Sequence, residues 1–103
     1  MKHVRHTTFV ACILLGSAAI ASAQDKAKIE AGEMVYEQNC AECHGEKLRS
    51  SGAVPDLRKM PPDARASFDE TVKNGRGQMP SWEGLLTEEN FDQIWAYIRS
   101  RAQ

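Results

Sequence analysis

Beyond its first 23 residues this sequence has one histidine, His44, and only two cysteines, Cys40 and Cys43. That scarcity excludes several chemistries. Two cysteines so close together cannot join distant segments by a disulfide. With no second cysteine pair and no second histidine, a closed four-ligand zinc site cannot be completed either. One histidine cannot supply two imidazoles to one metal. No segment alternates apolar and polar residues long enough to read as a strand, so no sheet is expected. A basic patch dense enough for nucleic acid is also missing.

The first stretch reads as a targeting segment. Lys2, His3, Arg5 and His6 make a short basic leader, and Phe9–Ile20 (FVACILLGSAAI) is an apolar run. A membrane span needs about 20 apolar residues, and this run is shorter. Ala21-Ser22-Ala23 supplies the small residues of a cleavage site before Gln24, so residues 1–23 are expected to be a secretory signal peptide, discarded with Cys12. Export implies the periplasm, with no membrane insertion after cleavage. Residues 24–103 then form one domain. Of the 13 basic residues Lys2 and Arg5 lie in the leader, leaving 11 against 14 acids, a net charge of −3. A chain this short buries a marginal core unless something staples it.

An all-α fold of three to four helices is expected from the pattern. Gln24–Lys28 is polar and reads as a loose start. From Ile29 an amphipathic helix runs to about Asn39, and Gly32 inside it calls for a packing reason such as close approach of another helix. Gly45, Gly52, Pro55 and Pro61-Pro62 mark loop. Ser67-Phe68-Asp69-Glu70 matches a capping box opening a short helix, which Asn74-Gly75 closes. Thr87 caps a last helix with Glu88 and Glu89 in its first turn. Phe91, Ile94, Trp95 and Ile98 make its apolar stripe, and Arg99 and Arg101 sit at its negative end. Loops this long need something to pack on.

Cys40-Ala41-Glu42-Cys43-His44 supplies it. Two thiols at this spacing can add to the two vinyl groups of one porphyrin, and the histidine that follows is aimed at the iron, the attachment pattern of c-type haem. A redox CxxC would need a strand-helix setting that this helical pattern lacks. The expected cofactor is therefore one haem c, attached through Cys40 and Cys43 and ligated by His44. The sixth ligand must come from Met, Lys, water or nothing. Met34 precedes the attachment site and lies on the wrong side. Met60 follows His44 by only 16 residues, within which the chain must also cover the proximal face and pass the porphyrin edge. Met79, in the irregular stretch before the last helix, is preferred, with Met60 as the alternative. A methionine sulfur raises the iron potential into the electron-transfer range.

From Gly32 to Arg101 the chain resembles a class I cytochrome c. Gly32 and Tyr36 match that family's helix-contact glycine and aromatic, and Trp95 and Tyr97 lie where it packs an aromatic onto the glycine. Val54-Pro55-Asp56-Leu57 is similar to the segment whose proline carbonyl accepts the proximal histidine Nδ1–H, which implies that Pro55 orients His44. Lys73-Asn74-Gly75 through Met79-Pro80 resembles the methionine-bearing loop. More narrowly, VPDLR and GQMPSW look like the haem domain of quinohaemoprotein alcohol dehydrogenases, although no dehydrogenase domain is present.

The resemblance implies a periplasmic electron-transfer protein, not an enzyme, passing single electrons between a dehydrogenase, such as one of quinoprotein type, and a terminal oxidase or another cytochrome. It would act as a free monomer or as the subunit of a complex. A haem enzyme or gas sensor with an open sixth site is the alternative. Tyr36, Trp95 and Tyr97 read as core, and Trp82 as packing at the haem edge. Lys47, Arg49, Lys73 and Arg76 read as scattered solvated charges, or else as a docking rim.

Overall fold

Alanine, lysine, glutamine and glutamate lose least on entering a helix, and they dominate the stretch from Ala21 to Glu33. In the computed structural model, which describes residues 2–4 and 14–103, helix α1 accordingly spans Leu14–Asn39. It begins well before Ile29, so the loose start expected for Gln24–Lys28 is corrected to helix. Lys26 and Glu30, paired at 3.9 Å one turn apart, add to it. Arg5, His6 and the first part of the apolar run lie outside the described residues, while Ala21–Ala23 are part of α1. No helix among the described residues is long and apolar enough to cross a membrane.

Helix α2 (Ala41–His44) follows directly, then 3₁₀ turns at Glu46–Leu48 and Leu57–Lys59, α3 (Arg65–Asn74) and α4 (Glu88–Ser100). Among the described residues there is no sheet, only isolated bridges pairing Arg76 with Met79 and Glu83 with Leu86. The expected all-α architecture is what the chain adopts.

Packing is organised by the crossing of α1 and α4. Gly32 is buried at that crossing, and a Cβ there would lie 1.8 Å from the Gln93 carbonyl oxygen and 3.0 Å from Tyr97 Cβ. Only glycine lets the two backbones come so close, which is the packing reason its place in a helix demands. Tyr36 and Tyr97 meet beside it with ring centroids 5.4 Å apart. Phe91, Ile94 and Ile98 of α4 are buried as the stripe requires, and Trp95 turns to Phe68 of α3 at 5.4 Å. Tyr97 lies off that stripe yet is fully buried, because α1 covers a second face of α4. Leu48 and Val72 complete the buried cluster.

The helix ends divide. Thr87 Oγ1 accepts from the Asn90 N–H at 3.1 Å while Asn90 Oδ1 accepts from the Thr87 N–H at 3.0 Å, a reciprocal cap on α4. The capping box expected at Ser67 and Glu70 is not formed. Helix α3 starts three residues earlier than that box implies, at Arg65, with Ala64 at the cap position and no side-chain cap. The turn after Pro61 carries the chain in, through Ala64 N–H to Pro61 O at 3.1 Å and Phe68 N–H to Ala64 O at 2.9 Å. Arg65 then bonds Asp69 one turn on in its own helix and Asp92 on α4, so a local and a tertiary ion pair hold the start of the helix without a side-chain cap. The far end matches expectation: Asn74 is the last residue and Gly75 turns the chain at φ 76°.

Candidate haem-attachment site

A chain leaving one helix and entering another within one residue keeps helical spacing across the joint. Cys40 is that residue. Its N–H donates to Tyr36 O at 2.7 Å, and its own carbonyl accepts from Cys43 N–H at 3.3 Å and His44 N–H at 3.0 Å. Positions i, i+3 and i+4 fall on one side of a helix, so Cys40, Cys43 and His44 share a face. Both thiols are free, Cys40 half-buried and Cys43 exposed. Burial, with a smaller contribution from Cys43, pushes the Cys40 thiol up to about 11.

His44 is half-buried, and burial lowers its pKa, favouring the neutral imidazole that can ligate a metal. Its Nδ1 is buried without any hydrogen-bond partner. An orphaned nitrogen beside two free thiols on one helical face fits the tethered haem that the motif implies. The exit from the motif is held from behind: the Tyr36 hydroxyl donates to Gly45 O at 2.7 Å. Lys47 and Leu48 take left-handed φ values of 53° and 65°, unusual for residues with a Cβ. Glu37 receives the Lys47 N–H at 2.8 Å and Glu33 its ammonium at 3.2 Å, which holds the turn. Sequence reasoning passed over this clamp and over the buried Leu48, because neither shows in local periodicity.

Pro55 lies on the surface, and its carbonyl does not accept a hydrogen bond from His44 in this structure. The neighbouring Asp56 forks onto Arg58 at 2.9 and 3.0 Å, and that bonding holds its carboxyl below the usual carboxylate range. Met34 is 64 % exposed, as expected of a residue on the outer side of α1. Met60 and Met79 are both half-buried and both pack on the core cluster. The Met60 carbonyl accepts from Arg99 Nη1 of α4 at 2.8 Å. Met79 closes a four-residue turn with Arg76, bonded both ways at 3.0 Å. That turn is anchored to the end of α3 by the Ser81 hydroxyl on Lys73 O and by Trp82 N–H on Val72 O at 2.9 Å. A Cβ on Gly75 would sit 2.6 Å from Met79 O, so the close fold of the turn also depends on glycine. Of the basic residues considered as a rim, Lys47 pairs with Glu33 and Lys73 with Glu88.

Comparison with known proteins agrees with this arrangement. Residues 27–98 match the model of the family described as "Cytochrome C oxidase, cbb3-type, subunit III". The quinohemoprotein alcohol dehydrogenase ADH-IIG of Pseudomonas putida is 40% identical over 84 residues, covering 80% of this chain and 12% of the dehydrogenase. Its solved structure superposes with a TM-score of 0.70 at 41% identity, over 76% of this chain and 12% of that one. Cytochrome c550 of Pseudomonas aeruginosa is 35% identical, over 70% of this chain and 54% of the relative. Cytochrome c6 of Euglena gracilis is 31% identical, over 69% of this chain and 90% of the relative. The chain therefore spans about an eighth of the dehydrogenase that it resembles.

Proposed function

Because the chain belongs to the cbb3-type subunit III family of c-type cytochromes, we propose that it is an exported single-electron carrier with His/Met-ligated iron. The observation that carries the reading is the single helical face holding two free thiols and a buried, unpartnered imidazole nitrogen. When bound, the haem c supplies one-electron iron chemistry. Cys40 and Cys43 tether it by thioether bonds. His44 would supply Nε2 to the iron; its Nδ1 has no partner in this structure, so the orienting role proposed for the Pro55 carbonyl requires the two to come together when haem is bound. Met79 would supply Sδ to the iron, carried on the turn that Ser81 and Trp82 fasten to α3. With Met79 on the iron, substrate would have no place at the metal, in keeping with a carrier role like that named for the cytochrome c550 and cytochrome c6 relatives.

The spectrum of the oxidised protein tests the ligand set. Met79→Ala should abolish the methionine–iron charge-transfer band, and Met60→Ala should leave it. The opposite pattern transfers the ligand role to Met60, while a high-spin spectrum with no such band in the unaltered protein establishes the open-site alternative.

The donor we assign is a quinoprotein dehydrogenase, on the strength of the similarity to ADH-IIG, and the acceptor a terminal oxidase or another cytochrome. Since the dehydrogenase carries the matching region as a part of a much longer chain, a subunit role is the second reading. Copurification with a dehydrogenase, weakened by salt, separates it from free diffusion.

A further inference from the structure

Beside Ile29 and Glu33 of α1, the carboxy-terminal residues Ser100 to Gln103 close a cleft of about 480 Å³. It is lined by Lys47, Arg49, Arg58, Arg101, Tyr97 and Glu33 and closed by Gln103, whose N–H is bonded to Arg58 O at 2.9 Å. None of Cys40, Cys43, His44 and Met79 lines it. Four cations thus face two carboxylates, the Glu33 side chain and the α-carboxylate of Gln103, and two of the four cations are already committed. Lys47 pairs with Glu33, and Arg58 with Asp56. Arg49 and Arg101 have no carboxylate within ion-pair distance among the described residues.

Between them lies an unanswered donor. Tyr97 is fully buried, and its hydroxyl has no hydrogen-bond partner. Arg101 lies over its ring, 5.6 Å from the centroid. A guanidinium only donates, so Arg101 cannot accept from the hydroxyl. The nearby acids Glu33 and Glu37 are both engaged by Lys47. What satisfies a buried hydroxyl and two uncommitted guanidinium groups together is a single acceptor-rich anion. We propose that this cleft binds a small oxyanion of the phosphate class, clamped by Arg49 and Arg101 and accepting from the Tyr97 hydroxyl. The site is independent of the haem ligation reading, since it shares no residue with it.

The test uses the reduced, haem-loaded protein, titrated with sodium phosphate and, separately, with sodium chloride at matched ionic strength. Backbone amide shifts in an NMR spectrum are the readout. Phosphate should give saturable shifts at Arg49 and from Tyr97 to Gln103, with the haem absorption unchanged. Tyr97→Phe and Arg49→Gln should each weaken the fitted Kd about fivefold or more, as expected for loss of one hydrogen bond or charge partner. Arg49 is exposed and Tyr97→Phe removes only an unbonded oxygen, so both variants keep the fold. Shifts from chloride as large as those from phosphate, or a Kd unchanged in both variants, overturn the proposal.

Discussion

Gly32 shows how much a single missing side chain can decide. The Gln93 carbonyl occupies the space where a Cβ would go, and that oxygen belongs to a helix backbone that cannot swing aside. Gly32→Ala must therefore separate α1 from α4, at a cost of about 3 kcal/mol or more, the upper range for forced overpacking. Urea denaturation of the haem-loaded protein would register this as a lower midpoint; an unchanged midpoint would show that the crossing can relax. The need for a close neighbour at this position was legible in the sequence, since a glycine inside an otherwise good helix is otherwise a loss. The identity of that neighbour was not, because it lies about 60 residues away and no local pattern encodes it. Tyr97 teaches the same lesson. Its burial comes from being covered by α1, which the stripe of α4 taken alone does not reveal.

Among the elements, α4 was the most readable and α3 the least. Thr87 announces its helix because a threonine before two glutamates has one good local use, and the structure adds Asn90 as the reciprocal partner. Thr87→Ala should cost about 1 kcal/mol, the usual worth of such a cap. The same denaturation midpoint checks it, with Ser67→Ala as the comparison expected to leave stability nearly unchanged, since Ser67 lies inside α3 and is exposed. The sequence around Ser67 satisfied the capping pattern equally well. What overrode it was Arg65, which is tied to Asp92 on α4 and so extends α3 backwards by a contact outside the helix. Likewise the amino-terminal turns of α1 carry helix-forming residues without an apolar stripe, and a search for periodicity passes over them. The Cys40–His44 motif needed no such context, because its spacing is its geometry.

At the scale of the whole molecule, eight side chains make the buried cluster among the described residues. A cluster that small, with long connections around it, accords with a fold completed by a bulky tethered cofactor. The export reading is tested at the same scale: the protein recovered from the periplasm should begin at Gln24, as read by terminal sequencing or intact mass, and one that begins at Met1 would refute it. The α1–α4 crossing also governs the order in which the molecule comes apart. It joins Gly32 to Gln93, so forming it requires closure of a loop of about 60 residues, an entropic toll that grows only slowly with length but is met in one step. The connections inside that loop, from Ser50 to Pro62, are held by few bonds and can detach while the crossing survives. Amide hydrogen exchange would then separate two populations, with residues 50–62 exchanging early. The backbone of Tyr36, Ile94 and Ile98 would exchange only when the first and last helices part company, which makes their contact the seam whose opening is global unfolding.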